Sequence, residues 1–183
     1  MSPSRFVVVA LLVAAWPSSA VAGMWSVGPN FGISVNANQN ASTTVVAWPG
    51  NSFGFQPGLR IGYLERTSPL EFYVDTGFLM ESESGSSFRI LQASGNFQHR
   101  LSGRSPSGPY VTAGLGFWMI GDGSTTSTVP SLGAGLGARG VLRHGHGAFR
   151  GEFRLDHFFE DQGAGIDAFT ALGFKLGFDL WTK

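Results

Sequence analysis

Residues 166–181 read IDAFTALGFKLGFDLW, and the order of their side chains decides the class of fold. Ile166, Ala168, Thr170, Leu172, Phe174, Leu176, Phe178 and Leu180 alternate with Asp167, Phe169, Ala171, Gly173, Lys175, Gly177, Asp179 and Trp181. Successive side chains of a strand point to opposite faces, so one face of this segment is apolar while the other collects the charges. Seven further segments share the period of two: 25–36, 53–64, 70–81, 88–100, 110–120, 130–143 and 149–160. Each runs about 11 to 16 residues, against about 5–6 for a soluble strand and about 9–11 for a tilted strand that crosses a bilayer. After residue 22 no stretch sustains a helical period. Strand length and charge placement predict one all-β domain, an eight-stranded antiparallel up-and-down transmembrane β-barrel.

The N-terminus fits export. Arg5 is the only charge before an apolar run from Phe6 to Ala15, which is followed by Pro17 and the small residues Ser18 to Ala22. This is the layout of a cleavable signal peptide, with Ala20-Val21-Ala22 as the cleavage site. Residues 1–22 are therefore read as a signal peptide and 23–183 as the barrel domain. The chain has no cysteine, which excludes disulfides, thiolate metal sites and a lipid anchor on an N-terminal Cys. Charged residues make up 13% of the chain against a usual ~25%, while Gly reaches 27 and Phe 16. A soluble domain would lack the charged surface to stay dispersed. Twelve Lys and Arg balance twelve Asp and Glu, and no basic patch or charged tail argues for nucleic acid or an electrostatic partner.

The charges test which face meets lipid. With the apolar parity of each strand turned outward, Arg60, Glu71, Asp75, Glu81, Arg100, Arg139, Arg143, Arg150, Glu152, Arg154, Asp156, Glu160, Asp167, Lys175 and Asp179 all fall inward. Only Arg89, near a strand end, falls outward. An Arg or Lys facing the bilayer midplane costs about 2–4 kcal/mol and far less at the interface, so this parity is the one a membrane selects. Ten of the inward residues form an expected lumen charge network: Arg60, Glu71, Asp75, Arg139, Arg150, Glu152, Arg154, Asp156, Lys175 and Asp179. Outward aromatics cluster near strand ends as an expected interfacial girdle. Trp25, Tyr63, Phe72, Phe97 and Phe149 lie toward one side; Phe53, Phe78, Phe117 and Phe159 lie toward the other.

Connections alternate in character. Segments 65–69, 101–109 and 144–148 read as short turns, and 37–52, 82–87, 121–129 and 161–165 as polar loops. Short turns face the periplasm in this architecture and longer loops face outward. Eight strands enclose a space that side chains can fill. A balanced set of inward charges pairs with itself, which favours a closed salt-bridge core over a narrow water-filled path. Inward glycines on strands five and six leave two options open, space beside Tyr110 and Trp118 or room for bulky neighbours.

The strand order, signal peptide and amphipathic last strand together resemble the small eight-stranded outer-membrane β-barrels of Gram-negative bacteria, the adhesin/invasin and membrane-anchor type. That resemblance implies residence in the outer membrane, contact with its lipid and lipopolysaccharide, and folding through the outer-membrane insertion machinery. The machinery reads a last strand such as Phe174, Leu176, Phe178 and Leu180. The ending Trp181-Thr182-Lys183 departs from the usual aromatic last residue.

Some barrels of this size are lipid A-modifying enzymes, and the deacylases among them carry a Ser two residues after an outward His. Here His157 is followed at that distance by Phe159, so no catalytic residue is assigned. His144 and His146 offer two metal ligands without a third, so neither a metal nor a cofactor is expected. The expected function is non-enzymatic: a structural, surface-interacting barrel, with a narrow porin-like channel as the alternative and a lipid A-modifying enzyme behind it. Loop 37–52 holds an apolar stretch, Val45 to Trp48, which is either a contact for a surface ligand or an extension of strand two.

Overall fold

The computed structural model describes residues 23–38, 58–83, 86–121, 125–163 and 165–182. Eight strands form in order: β1 (Gly23–Asn38), β2 (Gly58–Glu65), β3 (Leu70–Glu83), β4 (Ser86–Arg100), β5 (Gly108–Gly121), β6 (Thr126–Val141), β7 (Gly147–Phe158) and β8 (Phe169–Trp181). Every strand pairs antiparallel with its sequence neighbour, and β8 closes on β1 through pairs such as Phe31 with Leu176 and Gly32 with Lys175. The strand order closes on itself as an up-and-down barrel, the arrangement that lets strands pair within the wall in a hydrocarbon environment.

Short turns gather at one end, here the turn end: 66–69, 101–107 and 142–146. The connections at the opposite, loop end are 39–57, 84–85, 122–125 and 159–168. Local chemistry sets where the ladder stops. Gly145 donates its N–H to the Leu142 carbonyl at 2.8 Å and takes a φ of 70°, a conformation open to glycine, which ends β6 at Val141.

Several boundaries differ from those read in the sequence. Arg143, Glu160 and Asp167, assigned to inward strand faces, lie in connections and are exposed. The alternating pattern simply continues past the last ladder pair. Ile166 is not in β8; it pairs with Asp161 in an isolated two-residue bridge, with N–H to carbonyl distances of 2.9 and 3.0 Å. Segment 82–87 is strand rather than loop on both sides of 84–85, with Glu83 paired to Ser86. Residues 1–22, read as a signal peptide, most of loop 37–52 and residues 53–57 of strand two lie outside the described residues.

The outer wall is apolar. Leu115, Leu136, Phe149, Leu155, Leu172 and Phe97 head a long set of large hydrophobic side chains that point away from the barrel axis. The inward face is its inverse: Arg60, Glu71, Asp75, Glu152, Lys175 and Asp179 are buried. A water-soluble protein sorts these side chains the other way round.

Candidate functional site

Inward side chains arrive in layers dictated by the register. In the middle of the barrel, large residues stand opposite glycines on the adjacent strand. Arg150 faces Gly177, Arg154 faces Gly135 and Gly173, Asp156 faces Gly133, and Tyr110 faces Gly137. A methyl group on Gly177 would sit 2.4 Å from the Arg150 guanidinium carbon, and one on Gly137 would sit 2.5 Å from the Tyr110 ring. The glycines therefore supply room for bulky neighbours, and the space considered beside Tyr110 is filled.

Among the described residues eleven charged side chains are buried in this interior: Arg60, Arg100, Arg139, Arg150, Arg154 and Lys175 against Glu71, Asp75, Glu152, Asp156 and Asp179. Asp75 is the hub. It accepts hydrogen bonds from Arg60 Nε and Nη2 at 2.8 and 3.0 Å, from Asn30 Nδ2 at 2.8 Å and from Lys175 Nζ at 3.5 Å. Arg60 reaches on to Glu152 at 3.3 Å, and its guanidinium lies 3.6 Å above the Tyr73 ring. Glu152 also accepts from the Tyr110 hydroxyl at 3.1 Å and lies 3.7 Å from Arg154, whose Nε donates to Asp156 at 2.7 Å.

Asn30 carries the network toward the turn end, because its side-chain oxygen accepts from Arg150. Arg150 Nε is 3.0 Å from both oxygens of Asp179. Arg139 bridges Asp179 at 3.5 Å and Glu71, which it grips with two nitrogens at 2.6 and 2.8 Å. Gln98 completes Glu71 at 3.2 Å. All ten residues read as a lumen network, drawn from five strands, are thus joined through Asn30 of β1 into one connected set. Asn30, Gln98 and Tyr73 belong to it as well, and only their inward parity announced them. Arg100 stands apart: its guanidinium donates to the backbone carbonyls of Glu65, Ser68, Pro69 and Arg104, tying the first two turns together.

Toward the loop end the chemistry changes. Val129, Phe158 and Ala171 are buried there, with Trp118, Ile166 and Phe169 packed against them. Phe158 and Phe169 stack at 4.6 Å between centroids. An apolar cluster from β5 to β8 therefore lies on the loop side of the ionic network, a departure from the salt-bridge and hydrogen-bond core expected from the sequence. The charged side chains of the network are buried, and at such depth paired charges are held by one another more strongly than at a surface.

The aromatics near the turn end form a row. Trp25 pairs with Tyr63, Tyr63 with Phe72, and Phe72 with Phe97 across β1 to β4. Trp25 and Tyr63 meet edge-on at 5.3 Å, Phe72 and Phe97 at 4.5 Å. Phe149 continues the row on β7 against Phe178 at 5.0 Å. Toward the loop end Phe78 and Phe159 are exposed and Phe117 is half-buried, while Phe53 is outside the described residues. Arg89 is exposed near the loop end, beside Gly121 of β5.

His157 is exposed on the outer wall, with Nδ1 3.0 Å from the Thr170 hydroxyl across the β7–β8 ladder. Register, not sequence spacing, brings that hydroxyl to it. Among the described residues no carboxylate bonds to His157, so the pair lacks the group that would orient the imidazole for nucleophilic work. His144 and His146 are exposed, and the described residues contain no group of three or more His, Asp or Glu placed to hold a metal.

A closed eight-stranded barrel with an apolar wall and an ionic interior defines the class of small outer-membrane β-barrels. Neither a protein-family model nor a curated protein matches the chain. Solved structures do. Neisserial surface protein A (NspA) superimposes with a TM-score of 0.55 at 15% identity, over 85% of this chain and 96% of that one. Ail, the attachment invasion locus protein of Yersinia pestis, solved in complex with the heparin analogue sucrose octasulfate, gives a TM-score of 0.49 at 12% identity over 87% and 99%. The likeness to NspA is one of fold: this chain has the fold of a small eight-stranded outer-membrane barrel.

Proposed function

We propose that the protein is a non-enzymatic integral barrel of the outer membrane that presents its loops at the cell surface from a plugged, non-conducting cylinder. The observation that carries this reading is the single connected ion network, buried from Asp156 to Glu71 and flanked toward the loops, on the β6 to β8 side, by Val129, Phe158 and Ala171. A solute path would have to break several buried ion pairs. The apolar wall supports contact with outer-membrane lipid and lipopolysaccharide. The alternating Phe174, Leu176, Phe178 and Leu180 support delivery by the outer-membrane insertion machinery after removal of residues 1–22. Loop 37–52 remains the proposed contact for a surface ligand.

Two measurements test the reading. On unheated gels in detergent the folded protein should run ahead of the boiled form, since a closed barrel resists unfolding. In planar bilayers it should give no steady current steps. Stable ohmic steps would overturn the plugged cylinder, and release of acyl chains from lipid A on expression would overturn the non-enzymatic assignment.

A further inference from the structure

The charges left outside the barrel interior are sorted by end. Among the described residues at the turn end, Arg66, Arg104 and Arg143 are exposed, and the one acid, Glu65, is half-buried and accepts the Thr67 hydroxyl at 2.9 Å. Among the described residues at the loop end, Glu160 and Asp167 are exposed and Asp161 is half-buried, against the single cation Arg89. The described interior nearly neutralises itself, with six buried cations against five carboxylates, so it does not cancel this asymmetry. A formal net charge of zero hides it entirely.

We propose that the turn end is a docking surface for anionic phospholipid headgroups, held by Arg66, Arg104 and Arg143. The inference rests on the membrane-spanning reading above. Three observations converge on it. The arginines lie in the turns just beyond the aromatic row of Trp25, Tyr63, Phe72 and Phe97, and such belts sit at headgroup level. The guanidinium fork matches phosphate oxygens in geometry and charge.

The rim is also pre-organised. Arg100 ties the turns carrying Arg66 and Arg104 by its bonds to four of their backbone carbonyls. Ser107 Oγ donates to the Arg139 carbonyl at 3.1 Å, and Trp181 donates its N–H to the His146 carbonyl at 3.0 Å. Holding the turns in place lowers the entropy lost when their side chains engage a headgroup. The opposite end, with its excess of carboxylates, would repel the same lipid.

The test uses the barrel refolded into phosphatidylcholine vesicles that contain a minor fraction of chain-brominated phosphatidylglycerol, compared with the same fraction of chain-brominated phosphatidylcholine. Trp25, 48% exposed in the aromatic row, reports bromine arriving at the turn end. The anionic lipid should quench more strongly, and raised salt should shrink the difference. Each arginine replaced by Gln should weaken the preference about fivefold, so R66Q/R104Q/R143Q should abolish it while Arg89→Gln leaves it intact.

Gel mobility checks that each variant is folded, and Arg104→Gln alone supplies the same readout if the triple variant is not. Equal quenching by the two lipids overturns the proposal, as does a preference that survives the triple change. Loss of binding to purified peptidoglycan in the triple variant, with equal quenching in the parent, would assign the arginines to the cell wall and also overturn it. Failure of the parent to insert into any vesicle would instead overturn the membrane-spanning reading itself.

Discussion

Replacing Asp75 by Asn tests the closed interior at its hub. The carboxylate receives two hydrogen bonds from Arg60, one from Asn30 and one from Lys175, with both members of the Arg60–Asp75 pair at most 1% exposed. Asparagine keeps the shape, removes the charge and presents an amide N–H where a guanidinium N–H already points. Arg60 retains only Glu152 as an anionic partner, at 3.3 Å. Breaking a buried pair by neutralising one member costs about 3–5 kcal/mol, because the remaining charge cannot recover water. Equilibrium unfolding in urea from vesicles, with gel mobility as a second probe, should register a loss of that size. The paired change Arg60→Met with Asp75→Leu should recover only part of it, since buried Lys175 still loses the Asp75 carboxylate at 3.5 Å and Glu152 loses Arg60. A loss below about 1 kcal/mol for Asp75→Asn would mean that the freed arginine is hydrated, as exposed pairs are. That result would refute the water-free core.

Other changes separate wall from interior. Gly137→Val should destabilise by about 1–3 kcal/mol in the same unfolding assay, because its Cβ would press on the Tyr110 ring at 2.5 Å. Gly95→Ala is the control on the outer wall, where a Cβ meets nothing within 4 Å, and should be neutral or slightly stabilising. Leu115→Arg, at the middle of β5 and 68% exposed, should cost about 2–4 kcal/mol in vesicles. Leu101→Arg, in the first turn position after β4, should cost about 0–1 kcal/mol.

Reading faces from period was reliable where the two faces differ in chemistry. In Arg150-Gly151-Glu152-Phe153-Arg154-Leu155-Asp156 every second residue is charged, and the structure buries those four. It failed where both faces turn apolar or both turn polar. At the loop end Trp118, Val129, Phe158 and Phe169 point inward among apolar neighbours, so an apolar plug reads like ordinary strand. Around Asp161 and Ile166 a polar connection keeps the alternating rhythm after the ladder has ended.

Partnership was legible only at short range. Arg154 and Asp156 share a face of one strand, whereas Arg139 and Glu71 meet across the barrel from 68 residues apart. Thr170 beside His157, and the segregation of Arg66, Arg104 and Arg143 to one rim, likewise required the register. A closed barrel converts a one-dimensional alternation into a circular neighbourhood, and that conversion depends on strand pairing, which spacing does not encode.

A spin-label scan along β7 in proteoliposomes bears most directly on the whole account, and the absence of cysteine lets each label be introduced singly. Positions 149, 151, 153 and 155 should be relaxed by dissolved oxygen from the hydrocarbon. Positions 150, 152, 154 and 156 should be reached neither by oxygen nor by a water-soluble nickel complex. Free access of the nickel complex to the even positions would reveal an aqueous lumen, and oxygen access at those positions would turn the barrel inside out.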